Sequence, residues 1–166
     1  MTQGNKRTKM GFRKINSEIN WVTAQIAVGA YPDQERIEDL AQNGINQILN
    51  VCEVKNVDIK QDWDIEIEHY PIRDGFLIPT EDAINLVQLL HQYIDSGRKV
   101  YVHCAAGQHR SPTVIWLYLI STGLSLAKAG ELISNASVDA VPGHPHLFNM
   151  DLIRTIQERF KKEEND

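Results

Sequence analysis

The residues with the clearest chemical potential are Cys104 and Arg110, which stand six positions apart in the segment VHCAAGQHRS, residues 102–111. Gly107 lies midway between them and permits a tight loop. A thiolate is a strong nucleophile, and the planar fork of a guanidinium binds two oxygens of a phosphate group at once. The segment therefore predicts a phosphate-binding loop with a nucleophile at its base.

The elements on either side should orient this loop. A strand over residues 99–103 and a helix that begins near Ser111 would flank it, and Pro112 suits the first helical turn, where a missing N–H costs nothing. The backbone N–H groups would then point at a bound anion from the positive end of the helix dipole. The same field favours the thiolate form of Cys104. The phosphate-binding residues predicted in this way are Ala105, Ala106, Gly107, Gln108, His109 and Arg110.

A departing alkoxide or phenoxide needs a proton, which calls for a carboxylic acid on a separate loop. Asp74 is the best candidate, because it follows a predicted strand over residues 65–70 that should end on the same side of the sheet as Cys104. Asp33 and Asp82 are explained as helix-terminal residues and Asp95 as a surface residue. We therefore expect Asp74 to be the proton donor.

Strand and helix signals alternate along the chain and predict a single-domain α/β fold, with a central, mostly parallel twisted sheet flanked by helices. Ligands in such folds bind beyond the carboxyl ends of the strands, which is where Cys104 falls. Thr80 is expected to cap the second helix. The predicted strands cover residues 25–29, 45–51, 65–70 and 99–103, and the predicted helices cover 33–43, 80–96, 111–122, 125–135 and 147–162.

Composition narrows the class of protein. The 166 residues are 42% hydrophobic, which suits one compact domain without metal or disulfide support. Two cysteines and no apolar signal segment favour a cytoplasmic protein, and no run of residues is long and apolar enough to span a membrane. The net charge of −5 argues against nucleic-acid binding. We also expect a monomer.

The charge is unevenly distributed, because five basic residues precede the first acidic residue, Glu18. Residues 1–14 are expected to be a flexible basic tail, with contact to anionic lipid or nucleic acid as the alternative. Residues 15–166 are then the catalytic domain.

At about residues 20–160 the chain resembles the cysteine-dependent dual-specificity phosphatases of the protein tyrosine phosphatase superfamily. Their signature is His-Cys, five residues, Arg, then Ser or Thr, and here it is His103 to Ser111. The segments IAVGAYP at 26–32 and ILNV at 48–51 and the acid loop thirty residues before the cysteine also match. The resemblance implies the fold and the activity of a phosphomonoester hydrolase.

The resemblance also assigns roles. Cys104 would form a phosphocysteine intermediate, Asp74 would protonate the leaving group and then activate water, and Ser111 would help to expel the thiolate. His103 would position the loop from beneath. No metal and no other cofactor is implied. Cys52 resembles the second cysteine of tensin-type phosphatases, which pairs with the nucleophile under oxidation, and a buried inert thiol is the alternative.

The substrate is expected to be a phosphoprotein, at Tyr and at Ser or Thr, because the short acid loop suggests a shallow pocket. An inositol phosphate, phosphoinositide or phosphoglycan is the alternative. Ala105 and Gln108 replace the lysines of tensin-type lipid phosphatases, whereas His109 beside the arginine resembles inositol pyrophosphate phosphatases.

Two other functions fit the loop less well. A binding module for phosphorylated ligands would have kept the loop and lost turnover, but Cys104, Arg110, Asp74 and Ser111 are all present. A sulfurtransferase also surrounds a cysteine at a strand end, but it needs neither the Ser-Pro helix start nor an upstream acid.

Overall fold

In the computed structural model, which describes residues 18–59 and 62–162, five strands form one sheet. The strands are β1 (Asn20–Trp21), β2 (Ile26–Gly29), β3 (Gln47–Asn50), β4 (Glu66–His69) and β5 (Val100–His103). Their order across the sheet is β1-β2-β5-β3-β4. The short β1 is antiparallel to β2, and the other neighbours are parallel. The carboxyl ends of β2, β3, β4 and β5 therefore meet at one edge.

Within the described residues, five helices cover the two faces of this sheet. They are α1 (Gln34–Gln42), α2 (Thr80–Asp95), α3 (Arg110–Ser121), α4 (Leu126–Ala136) and α5 (Met150–Arg159). The predicted α/β fold, a single domain with a mostly parallel sheet between helices, is confirmed.

The hydrophobic core has two parts, because successive strand residues point to opposite faces. Val100 and Val102 face the larger cluster, built with α2, α3, α4 and α5, whereas Tyr101 faces the smaller one with Ile37 and Leu40 of α1. Burying a side chain such as Leu40 stabilises the fold by about 1.5–3 kcal/mol. Strand β5 is thus held firmly on both faces directly before Cys104.

Helix α3 is buried along its whole length, like strands β3 and β5. All twelve of its residues are buried, including the polar Ser111 and Thr113 in its first turn. This agrees with the all-round apolar sequence, which predicts a core helix. The amino end of α3 is consequently fixed against the carboxyl end of β5.

Some predicted helix ends are wrong. Pro79 is the N-cap of α2 and Thr80 is already helical, with no side-chain capping bond. The last helix begins at Met150 rather than at residue 147, because the Asn149 side chain accepts a hydrogen bond from the Leu152 N–H and caps it there. The expected basic tail, residues 1–14, lies outside the described residues.

None of the helices within residues 18–59 and 62–162 is long and apolar enough to cross a membrane.

Candidate active site

Cys104 directly follows β5, at the edge where the parallel strands end, and it is only 3% exposed. Its Sγ lies 3.2 Å from the Oγ of Ser111, in the first turn of α3. Cys104 thus lies between a buried strand and a buried helix, which is the position expected from the sequence. The arrangement lets the Ser111 hydroxyl donate a hydrogen bond to the sulfur.

The loop after Cys104 has room for only one residue type at its midpoint. Gly107 has φ +72°, and a Cβ there would lie 2.6 Å from the backbone carbon of Gly29 and 2.9 Å from the nitrogen of Ala30. Tyr31 donates its backbone N–H to the Ala105 carbonyl oxygen at 3.0 Å. The end of β2 therefore shapes the loop from below.

The backbone of the loop is suited to bind an anion. Among hydrogen bonds within the described residues, none uses the N–H groups of residues 105–109 as donors. Ala105, Ala106 and Gln108 are exposed, so the upper side of the loop is open. Because α3 begins at Arg110, these N–H groups lie at the positive end of its dipole.

Arg110 is nearly completely buried, with its side chain 5% exposed. Its Nη1 donates to the Ile72 carbonyl oxygen at 3.1 Å and lies 2.9 Å from Glu53 Oε1. The hydrogen bond from Arg110 lowers the pKa of Glu53 below its usual range. With Nη1 engaged in this way, the Nε and Nη2 edge is the part of the fork that can bind two phosphate oxygens.

Asp74 lies on the same side of the site, as predicted. Its Oδ1 is 4.0 Å from Arg110 Nε, and its side chain is 56% exposed. The loop that carries it begins at Ile72, whose N–H donates to Val51 after β3, and ends at Ile78, whose N–H donates to Leu147. Two anchored ends thus hold an exposed carboxyl group beside the phosphate-binding loop.

The structure agrees with the exclusion of Asp33 and Asp82 as the proton donor. The Asp33 side chain accepts a hydrogen bond from the Arg36 N–H at the start of α1. Asp82 accepts a hydrogen bond from the Tyr70 hydroxyl at 2.7 Å. Both carboxylates are engaged in fixing local structure.

His103 lies beneath the loop and is completely buried. Its Nδ1 is 3.0 Å from the Cys104 carbonyl oxygen and its Nε2 is 2.9 Å from Asn56 Nδ2. A carbonyl only accepts and an amide nitrogen only donates, so the imidazole carries its proton on Nδ1 and is neutral. Burial lowers the pKa of His103 to about 4, which agrees with this form. His103 thereby links the loop backbone to Asn56.

Cys52 follows β3 and is 1% exposed. Its thiol donates to Asn50 Oδ1 at 3.0 Å, and burial raises its pKa. The Val51 N–H donates to the His103 carbonyl oxygen, which places Cys52 and Cys104 at the ends of adjacent strands. Both cysteines are free thiols in this structure. Their pairing under oxidation stays a prediction.

Two features of the site were not predicted. Glu53, the ion-pair partner of Arg110, is the third residue past β3, which ends at the same sheet edge as β5, and this position was the available signal. Asn56, the partner of His103, lies in a polar loop without any periodic pattern. In the part of the chain that the structure describes, no cluster of three or more His, Cys, Asp or Glu side chains could hold a metal ion.

Sequence comparison agrees with this geometry. A family model for the dual specificity phosphatase catalytic domain matches residues 26–155, which include every element from β2 into α5. The chain belongs to the dual-specificity phosphatase family. Membership of the protein tyrosine phosphatase superfamily is thus confirmed, as expected from the signature His103 to Ser111.

Relatives within this superfamily differ in their substrates. Phosphatidylglycerophosphate phosphatase PTPMT2 of Arabidopsis thaliana is 30% identical over 115 residues, or 64% of this chain and 50% of that protein. Protein tyrosine phosphatase type IVA 3 of Mus musculus is 35% identical over 102 residues, or 58% of each chain. The match thus spans little more than half the length of these two curated relatives.

Solved structures of dual-specificity and tyrosine phosphatases share the fold. Tk-PTP in its active form superimposes with a TM-score of 0.69 at 21% identity, covering 85% of this chain and 97% of that one. PTPMT1 in complex with PI(5)P gives a TM-score of 0.65 at 19% identity, covering 84% and 92%. At these identities the similarity shows the fold alone.

Proposed function

We propose that this member of the family is a phosphomonoester hydrolase that acts through a phosphocysteine at Cys104. The observation that carries the proposal is the meeting of three groups at one sheet edge: the Cys104 sulfur at the base of the loop, the buried Arg110 fork and the exposed Asp74 carboxyl. They supply a nucleophile, a phosphate clamp and an acid, which phosphoryl transfer to a thiol requires.

The reaction would proceed in two steps. The Cys104 thiolate attacks phosphorus, the bond to the leaving oxygen breaks, and Asp74 gives that oxygen its proton. Water then attacks the phosphocysteine, Asp74 accepts a proton from the water, and the sulfur–phosphorus bond breaks. The Ser111 hydroxyl, 3.2 Å from the sulfur, donates a hydrogen bond to the departing thiolate. Arg110 and the loop N–H groups bind the equatorial oxygens throughout.

The first substrate candidate is a phosphoprotein, dephosphorylated at Tyr and at Ser or Thr. The open side of the phosphate-binding loop, where Ala105, Ala106 and Gln108 are exposed, supports it. A shallow site can accept the short phosphoserine side chain as well as the longer phosphotyrosine. A cytoplasmic, monomeric enzyme also remains part of this proposal.

The second candidate is a non-protein phosphoester, such as an inositol phosphate, a phosphoinositide or a phosphoglycan. Phosphatidylglycerophosphate phosphatases among the relatives support it. The side chains of His109, His144 and His146, which lie together at the rim of the site, support it as well.

The test is hydrolysis of an aryl phosphate by the purified protein without added metal. Cys104→Ser should abolish turnover and leave the binding of a phosphate mimic such as tungstate largely intact. Full activity of that variant would disprove the mechanism. Tungstate binding without turnover by the wild-type protein would identify a binding module instead. A panel of phosphopeptides, inositol phosphates, phosphoinositides and phosphoglycans then separates the two substrate candidates.

A further inference from the structure

Three histidines lie together at the rim of the phosphate-binding loop. The ring centroids of His109 and His144 are 4.5 Å apart, and those of His144 and His146 are 5.1 Å apart. His109 directly precedes Arg110, whereas His144 and His146 come from the connection between α4 and α5. This histidine row takes no part in the proposed reaction. It runs from the clamp arginine out to the exposed surface.

The connection that carries His144 and His146 is held in a defined position. The backbone N–H groups of Gly143 and His144 donate to Thr113 Oγ1 at 3.2 and 3.4 Å, and the Val141 N–H donates to the Gln108 carbonyl oxygen at 2.7 Å. Gly143 has φ +69°, and a Cβ there would lie 2.9 Å from the Trp116 ring. The tertiary fold thus places the two imidazoles beside His109.

The hydrogen bonding of His144 fixes which nitrogen can serve a ligand. The His146 backbone N–H donates to His144 Nδ1 at 3.2 Å, so the neutral imidazole carries its proton on Nε2. Partial burial lowers the pKa of His144, and the nearby His109 and His146 lower it further, while Asp74 raises it. At neutral pH His144 is therefore an N–H donor without a fixed charge. A bound dianion favours its protonated form.

The three imidazoles are suited to bind an anion rather than a metal ion. The three imidazoles are not among side chains that could hold a metal ion in the described residues. Neutral or protonated imidazoles donate hydrogen bonds to phosphate oxygens, and bonds to charged groups are the stronger ones. The row begins beside the clamp arginine, which suits two anionic groups on one small molecule. Two phosphorylated side chains on the same side of an extended peptide would be about 7 Å apart, so a doubly phosphorylated peptide is the alternative ligand to be tested.

We propose that His109, His144 and His146 form a second anion subsite, which binds a further phosphate group, monoester or diester, of a small bisphosphate substrate. The inference rests on the proposed hydrolase function and develops its second substrate candidate. The further phosphate can belong to a free polyol phosphate or to a lipid headgroup, because the donors contact the same oxygens in both. The subsite makes substrate choice a property of the rim rather than of the Cys104 loop.

The experiment compares soluble inositol monophosphate with an inositol bisphosphate that carries neighbouring phosphates. The wild-type protein should have at least a tenfold higher kcat/KM for the bisphosphate. The double variant His144→Asn, His146→Ala should lose about tenfold of this preference and keep its aryl phosphate activity within about twofold. Asn at 144 keeps an oxygen that can accept the His146 N–H, so the turn is preserved. Val138→Ala, at an exposed position of the same connection, is the matched control.

Two further measurements are needed. One distinguishes a lipid headgroup from a soluble ligand, and the other distinguishes failure of the subsite from failure of the proposed function. The same bisphosphate headgroup on a glycerolipid in phosphatidylcholine vesicles shows by its rate whether a lipid or a soluble ligand is preferred. Calorimetry with Cys104→Ser protein measures bisphosphate against monophosphate binding without turnover. If the wild-type protein fails to hydrolyse aryl phosphate while the Cys104→Ser protein still binds the bisphosphate more tightly than the monophosphate, the subsite is supported and the proposed function is contradicted.

Three results would overturn the subsite. One is equal kcat/KM and equal affinity for monophosphate and bisphosphate in the wild-type protein. Another is a bisphosphate preference that the double variant retains in full. The third is a preference for a doubly phosphorylated peptide with no response to the small bisphosphate.

Discussion

The floor and the rim of the active site are built differently. The floor consists of Cys104, Ser111 and Arg110, which are 3%, 0% and 5% exposed and sit between a buried strand and a buried helix. The rim carries Asp74, whose side chain is 56% exposed on a loop, and the histidine row. Glu53 is 60% exposed but supports the floor, because it pairs with Arg110. Buried groups are fixed by packing, whereas exposed loop groups are fixed by a few hydrogen bonds.

This difference assigns different tasks to the two regions. The floor sets the reaction, because the nucleophile and the clamp need a fixed geometry and a field little screened by water. The rim determines proton transfer and substrate choice, because its exposed groups can contact different leaving groups. Variants of the floor should therefore affect all substrates alike, and variants of the rim should affect substrates selectively.

The largest selective effect is expected at Asp74. Asp74→Asn should lower kcat about 10²–10⁴-fold for an alkyl phosphate, whose leaving group needs a proton in the transition state. For an aryl phosphate with an acidic phenol, the loss should be much smaller. The measurement is a series of kcat values plotted against leaving-group pKa.

Asp82→Asn is the matched control, because Asp82 is hydrogen-bonded to Tyr70 at the start of α2. It should leave the slope of that plot unchanged. An Asp74→Asn plot parallel to the wild-type plot would show that another group is the acid.

A pH-dependent loss of stability is expected from His103, which lies directly beneath the floor. His103 has a pKa of about 4 in the folded protein, against an ordinary 6.5, because burial disfavours its charged form. The unfolded chain binds the additional proton between these values, so stability falls as pH decreases from about 6.5 to 4. The free energy of unfolding should decrease by about 3 kcal/mol over this range, at 1.36 kcal/mol per pKa unit.

Urea unfolding of wild-type protein and of His103→Gln between pH 7 and pH 4.5 measures this contribution. The variant should be less stable than wild type at neutral pH, and the difference in unfolding free energy should shrink as the pH falls. A difference that is constant with pH would contradict the neutral buried imidazole.

The floor could be predicted from the sequence and the rim only in part. Cys104, Arg110 and α3 belong to one continuous segment with a distinctive apolar pattern, so local rules suffice. Asp74 was found because parallel strands end at a common edge. The histidine row depends on residues 144 and 146 folding back onto 109, which is a tertiary contact between distant segments and has no local signal. Strand β1 is two residues long and too short for periodicity.

A smaller effect is expected from Glu53. Glu53→Gln removes the charge that holds Arg110 Nη1 at 2.9 Å, so the clamp should be less well oriented. We expect about a tenfold loss of kcat/KM for every substrate, since the clamp serves the phosphate itself. Steady-state kinetics with an alkyl and an aryl phosphate measure it.

Glu68→Gln on the exposed strand β4 is the control and should change neither rate. A loss confined to one leaving group would assign Glu53 to proton transfer rather than to positioning. That result would break the separation of tasks between floor and rim.

The smallest effect is expected at Cys52. Cys52→Ser should leave kcat unchanged in reducing buffer, because within the described residues the thiol donates to Asn50 Oδ1 and the Val54 carbonyl oxygen and not to a group of the active site. Under mild peroxide, Cys104 should become a sulfenic acid, which the Cys52 sulfur captures with release of water to form a disulfide. Peptide mapping that shows oxidised Cys104 alone, with no linked pair, would contradict this.

The phosphocysteine is the central claim, and trapping it is the most direct test. Protein mixed with an aryl phosphate, quenched in acid within one turnover and digested should yield a phosphate on the peptide that contains Cys104. The Cys104→Ser protein should yield none, and Asp74→Asn should accumulate more than wild type because it slows attack by water. Turnover without a phosphorylated Cys104 peptide, or with phosphate on another residue, would contradict the mechanism.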